Sequence, residues 1–120
     1  YIEQNHLGDY IIYQEKIQQK HLPYLYKNCN CFLLPTSYEI WGMVLMEAMH
    51  FGCPVITTYN GGSSTLIEDG LDGLILELDV QKWVEAIENH KFHAKEIEIY
   101  NKKILAEKCN WEIIAKKMLR

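Results

Sequence analysis

The stretch from Pro35 to Gly62, PTSYEIWGMVLMEAMHFGCPVITTYNGG, constrains this chain more than any other. It reads as the end of a strand, a loop carrying Glu39, a helix opening near Gly42, a second strand and a paired-glycine loop. Met43, Val44, Leu45, Met46, Ala48, Met49 and Phe51 make the helix apolar nearly all round, which predicts burial rather than an amphipathic surface position. The same helix carries Glu47. A carboxylate in such surroundings is costly unless it has an internal partner or faces a cleft. In an open parallel sheet the cleft lies at the carboxyl ends of the strands. Glu39 and Glu47 bracket that end of the helix, so the two acids are expected to face one site.

The flanking sequence supplies further elements of the same kind. Tyr1 to Leu7 reads as the tail of a helix whose beginning is absent, as in a piece of a longer protein. Tyr10, Ile11, Ile12 and Tyr13 form a short run suited to a buried strand. Leu22, Leu25, Tyr26 and Cys29 fall at helical spacing with Pro23 in the first turn, and Cys31 to Leu34 has the length and continuous apolarity of a central parallel strand. Pro54 to Thr58 reads as the next strand, Leu66 to Gly70 as one helical turn, and Leu74 to Leu78 as a last strand. Asp79 is placed to cap a helix with the stripe Val80, Trp83, Val84 and Ile87. A further helix spans about Phe92 to Lys108, and Asn110 caps a terminal one presenting Trp111, Ile114, Ala115 and Met118. Strands alternating with helices predict an α/β fold with a parallel sheet.

Composition narrows the function. The 120 residues suffice for one core. Lys plus Arg number 12 against 16 for Asp plus Glu, and the basic residues are scattered, which argues against a nucleic acid partner. Cys29, Cys31, Cys53 and Cys109 form neither a C-x-x-C pair nor a disulfide scaffold, so reduced thiols in the cytoplasm are expected. No apolar run reaches the roughly 20 residues needed to span a bilayer, and any membrane contact is expected to be peripheral, at its inner face. Neither G-x-G-x-x-G nor the P-loop pattern occurs, which argues against a dehydrogenase or an NTPase. His90 and His93 stand three apart without a third ligand and read as surface, while His50 and Cys53 are assigned no chemistry.

HLPYLYKNCNCFLLPT (His21 to Thr36) followed by SYEIWG resembles the C-terminal domain of the family-four retaining glycosyltransferases. Those enzymes have the GT-B fold of two facing Rossmann-like domains. Glu39 and Glu47, with seven residues between them, match the family's glutamate signature. Glu47-Ala48-Met49, Gly52-Cys53-Pro54-Val55, Gly61-Gly62, Asp69-Gly70-Leu71-Asp72-Gly73 and Trp111 answer further motifs in order. Ile40 and Trp41 stand where Gly and Phe are usual, and Ser64 and Thr65 replace a common Pro-Glu.

The resemblance implies a Rossmann-like parallel sheet with flanking helices, forming part of the C-terminal, nucleotide-sugar-binding domain of a GT-B enzyme over residues 1–120. The upstream strands with the diphosphate-binding Arg and Lys, and the N-terminal acceptor domain, would lie outside it, leaving the isolated chain inactive. In the family's strand order, Tyr10 to Tyr13 and Cys31 to Leu34 would be separated by two missing strands; direct pairing of the two is expected, with exposed edges promoting self-association. The implied reaction transfers a sugar from a nucleoside diphosphate donor, UDP- or GDP-linked, to a hydroxyl of a glycan or lipid-linked acceptor, in a setting such as bacterial surface glycan synthesis. No metal or other cofactor is implied.

By the same resemblance Glu39 would be the catalytic residue of the set, accepting hydroxyls of the transferred sugar, and Glu47 would bond those of the ribose. The helix start at Gly42, Met43 and Val44 offers amides and a positive dipole end to the diphosphate, and Gly61, Gly62 and Ser63 offer a second cradle of backbone donors. Simpler readings stand beside these. Glu39 alone is an ordinary helix-start charge, Glu47 has Lys27 as a candidate internal partner, and a Gly-Gly pair is commonly just a tight turn. A non-catalytic Rossmann-like association module with structural acids is therefore the alternative.

Overall fold

The computed structural model describes residues 1–68, 70–90, 92 and 94–118, without the side chains of 94, 95, 111, 113, 114 and 117. Among them, three parallel strands form one sheet in the order β1, β2, β3: Phe32–Leu34, Val55–Thr57 and Gly73–Ile75. The register pairs Leu33 with Ile56 and Ile56 with Leu74. Six α-helices accompany it: α1 (Leu22–Asn28), α2 (Met43–His50), α3 (Gly61–Leu66), α4 (Val80–Asn89), α5 (Ala94–Lys108) and α6 (Trp111–Met118). The expected α/β, Rossmann-like class with a parallel sheet and flanking helices is what the chain adopts.

The core sits where α2 meets the sheet and α5. Leu45, Ala48 and Met49 on α2, Val55 and Ile56 on β2, and Leu66, Ile97 and Ile104 are all buried. Tyr26 of α1 packs edge-on to Phe32 and stacks on Phe51. The apolar character of α2 is only partly used, because Met43 is 65% exposed and Val44 also faces solvent. Burial thus begins one turn into the helix, leaving its start open.

Several expectations are corrected. Tyr10 to Tyr13 forms no strand and does not pair with β1; Ile12 is 91% exposed. The amides of Tyr10 and Ile11 bond instead to the Leu7 carbonyl, at 2.9 Å each, and no neighbouring strand competes for them. Tyr1 to Leu7 makes turns rather than a helix tail. β1 is an edge strand with Leu33 41% exposed, where a covered central strand is expected. Helical structure comes earlier than Leu66 to Gly70, as α3, and the third strand starts at Gly73 and ends at Ile75. Asp79 does cap α4, accepting from the Lys82 amide at 3.0 Å. Of its stripe only Trp83 is buried, its indole donating to the Glu77 carbonyl at 2.7 Å; Val80, Val84 and Ile87 remain exposed. Asn110 accepts from the Glu112 amide at the start of α6, where Ala115 and Met118 are exposed and the side chains of Trp111 and Ile114 are outside the described set.

Candidate functional site

The two loops that leave the carboxyl ends of β1 and β2 are stitched together by hydroxyls. Thr57 is fully buried and its Oγ1 donates to the Leu34 carbonyl at 3.0 Å. Thr58 donates to the Thr36 carbonyl at 2.8 Å, and its Oγ1 lies 2.9 Å from that of Thr36. A hydroxyl has one proton. With the Thr58 proton on the carbonyl, Thr36 must donate in the hydroxyl pair. The adjoining cleft, about 410 Å³, is lined by Thr36, Ser37, Thr58, Tyr59 and Glu77 among others. Glu39 and Glu47 are not among its lining residues.

Gly61 and Gly62 open a helix rather than a loop. Asn60 is its N-cap, accepting from the Ser63 amide at 2.8 Å, while the Ser63 hydroxyl accepts from the Asn60 amide at 2.8 Å and donates to the Thr58 carbonyl at 2.9 Å. This closes a reciprocal capping box. Ser63 is 0% exposed, with amide and hydroxyl both committed internally, so it holds α3 in place rather than offering groups to a ligand. The glycines answer a different constraint. A Cβ on Gly61 would stand 2.2 Å from the Ile40 carbonyl oxygen, and one on Gly62 would stand 1.9 Å from that of Trp41. The loop carrying Glu39 therefore rests directly on the start of α3.

Glu39 is half-buried and its Oε1 accepts from the Trp41 amide at 3.3 Å, which turns the carboxylate back along its own loop. The bulky residues at 40 and 41 are accommodated on the outside: Ile40 is exposed and the Trp41 indole lies against Met46 Sδ at 3.1 Å. Gly42 follows with φ of 72°, a left-handed conformation that glycine adopts without strain, and α2 begins. The first-turn amides of Met43 and Val44 have no intrahelical acceptor, as at any helix start.

Glu47 lies further along α2, half-buried, and accepts from the Tyr26 hydroxyl at 3.3 Å. Burial, then the Glu47 charge, pushes the Tyr26 phenol up to about 12, so it remains a donor at every physiological pH. The partner of Glu47 is thus Tyr26 and not Lys27, whose ammonium sits 5.6 Å from the Phe51 ring centre. Gly70 and Asp72 of the downstream motif shape the turn into β3, with the Gly70 amide on the Gly73 carbonyl at 2.8 Å; Asp69 is outside the described residues. So is His93, while His90 packs against Phe92. Among the described residues, no group of three or more His, Cys, Asp or Glu is placed to hold a metal ion, and no helix is long and apolar enough to cross a membrane.

The structure adds Tyr26, Thr36, Thr57, Thr58 and Asn60 to the residues that shape this end of the sheet. Asn60 had a legible signal, an N-cap type three residues before a hydroxyl. The threonines had none, because Thr57 and Thr58 bond to carbonyls over twenty residues away, on Leu34 at the end of β1 and on Thr36 in the loop after it.

The sequence model of the family described as glycosyl transferases group 1 matches residues 1–103. An alpha-1,3/1,6-mannosyltransferase of Homo sapiens is 34% identical over 87 residues, 72% of this chain and 21% of that protein. An uncharacterized 41.2 kDa protein in the cps region of Klebsiella pneumoniae is 31% identical over 69% of this chain and 24% of its own length. A probable sucrose-phosphate synthase of Thermosipho melanesiensis is 32% identical over 84% of this chain and 25% of its own length. The chain therefore spans about a quarter or less of these relatives.

Proposed function

The chain belongs to the group 1 glycosyl transferases, and on that footing we propose that it is the donor-binding part of an enzyme that transfers a sugar from a nucleoside diphosphate to a hydroxyl acceptor, with retention of configuration. The observation that carries this reading is the family match across residues 1–103, which contains both glutamates and the Gly-Gly pair. The named relatives are a mannosyltransferase and a sucrose-phosphate synthase, in keeping with sugar transfer.

In this reading the diphosphate lies at the open start of α2, where the amides of Met43 and Val44 and the positive end of the helix complement an anionic leaving group. Glu39 takes hydroxyls of the transferred sugar and Glu47 those of the ribose, each as an ionised acceptor. Gly61 and Gly62 serve by letting the Glu39 loop settle on α3. The donor is a UDP- or GDP-sugar, and no metal is assigned a role. The acceptor is a glycan or lipid-linked hydroxyl bound by the remainder of the protein, on the cytoplasmic face of the membrane, and bacterial surface glycan synthesis is the setting this reading favours.

One observation favours the alternative of an association module. Glu47 already has a hydrogen bond to Tyr26, as a structural acid would. Isothermal titration of the full-length protein with UDP, GDP and ADP separates the two, since binding to none of them would sink the enzyme reading. For turnover, Glu47→Ala is expected to lose about 2 to 4 kcal/mol, or roughly 30-fold to 1000-fold in rate, from two missing hydroxyl bonds. Glu39→Ala should reduce turnover more than nucleotide affinity. Wild-type kinetics in a correctly folded Glu47→Ala protein would leave Glu47 with the Tyr26 contact alone.

A further inference from the structure

Away from this site, three thiols meet where α1, β1 and the turn after α2 converge. Cys29 caps the end of α1, its amide held by the Leu25 carbonyl at 3.0 Å; Cys53 follows α2, its amide held by the Ala48 carbonyl at 3.0 Å. Their sulfurs lie 2.9 Å apart. That is closer than a relaxed contact between unbonded sulfurs and within easy reach of bond formation. Cys29 is exposed and Cys53 buried, and the cavity of about 770 Å³ beside them is lined by Cys29 and Cys31 together with Tyr26, Phe51 and His90. An exposed thiol facing an open cavity, with a second thiol fixed behind it, is the arrangement of an entry and a resolving cysteine.

We propose that Cys29 and Cys53 form a reversible oxidation site, closing to an intramolecular disulfide by exchange with a small-molecule disulfide of the glutathione type. The Cys29 thiolate attacks one sulfur of the small disulfide, forming a mixed disulfide and expelling one thiolate. Cys53 then loses its proton and attacks Cys29 Sγ, forming the protein bond and expelling the second thiolate. Two protein thiols are oxidised, one small disulfide is reduced to two thiols, and the two protons pass to the leaving groups. Burial, reinforced by the neighbouring Cys29, pushes the Cys53 thiol well up, so it stays protonated until it attacks. Cys31, also raised by burial, to about 11, has its thiol on the Phe32 carbonyl at 3.7 Å and is the rival to exclude. The bond would join α1, one turn past Tyr26, to the end of the helix that carries Glu47.

The test treats purified, natively folded full-length protein with oxidised glutathione, blocks remaining thiols, cleaves after glutamate and maps linked peptides by mass spectrometry. Cleavage at Glu39 and Glu47 puts Cys29 and Cys31 on one peptide and Cys53 on another. A linked pair should appear in most chains of both the wild type and Cys31→Ser, and dithiothreitol should release it. Loss of the link in Cys31→Ser, a wild type carrying only glutathione adducts, or no thiol consumed at all would each overturn the proposal. Because Cys31→Ser leaves Cys29 as the one thiol on its peptide, the result does not depend on Cys29→Ser folding.

Discussion

Two short runs of nearly the same chemistry end in opposite states. Val55–Thr57 is wholly buried at the centre of the sheet, whereas Tyr10 to Tyr13 lies exposed over the surface without a ladder. Composition does not separate them, since both are rich in β-branched or aromatic residues. Neighbours do. β2 has a parallel strand on each side, and the hydroxyls of Thr57 and Thr58 bond to the chain leaving β1. The Tyr10 and Ile11 amides find only the Leu7 carbonyl. A strand is therefore a statement about its partners as much as about its own residues.

The largest effect should come from testing that contrast directly. Ile56→Ala removes a side chain that is 0% exposed and should destabilise by about 2 to 5 kcal/mol, while Ile12→Ala, at 91% exposed, should stay within about 0.5 kcal/mol. Urea denaturation of the 120-residue chain measures both. A cost above about 1 kcal/mol for Ile12→Ala would mean that the first run is packed after all, and the comparison would fail.

The same contrast shows how much was legible beforehand. The strand-helix-strand unit around α2, the Asp79 cap and the class of the fold follow from local patterns that the structure repeats within a residue or two. Cys31 to Leu34 reads as a central strand and Tyr10 to Tyr13 as a buried one, and neither has that environment, because a local window cannot show which strand lies alongside. Gly61-Gly62 shows the limit most clearly at the candidate site. The pair reads as a turn or a cradle, and only the clashes that side chains there would make with the Ile40 and Trp41 carbonyls, at 2.2 Å and 1.9 Å, reveal the packing reason. The bond from Tyr26 to Glu47, across 21 residues, was equally hidden, because a buried tyrosine on a helical stripe announces packing before hydrogen bonding.

Gly62→Ala should have the next largest effect. Its new methyl meets backbone rather than a side chain that can swing away, so either the Glu39 loop or α3 must shift, at about 1 to 3 kcal/mol. Thermal unfolding reports the loss, and the catalytic consequence in the full-length protein should exceed that of an equally destabilising change elsewhere in the core. An unchanged melting temperature would show that the loop does not rest on α3 as described, and the packed side of the comparison would lose that contact.

The smallest effect sharpens the comparison by locating a weak point inside the well-packed half. Asp72, just before β3, is almost fully buried; one carboxylate oxygen accepts from the Glu68 amide at 2.9 Å, and the other has no hydrogen-bond partner among the described residues. Burial raises its pKa from an ordinary 3.8 to about 6, with the Glu68 amide and Lys108 pulling the other way. Below about pH 4 the folded and unfolded states both hold the proton. Between about 4 and 6 only the folded state does, so the stability due to this group is lost as pH rises through that window. Asp72→Asn cannot ionise and keeps an oxygen for the Glu68 amide. Its melting temperature should therefore exceed the wild type's at pH 7.5, by an amount that shrinks steadily as the pH is lowered toward 4.5. Taking the difference between the two proteins cancels the other titrating groups, so a constant gap across that range would show that Asp72 does not bind its proton on folding.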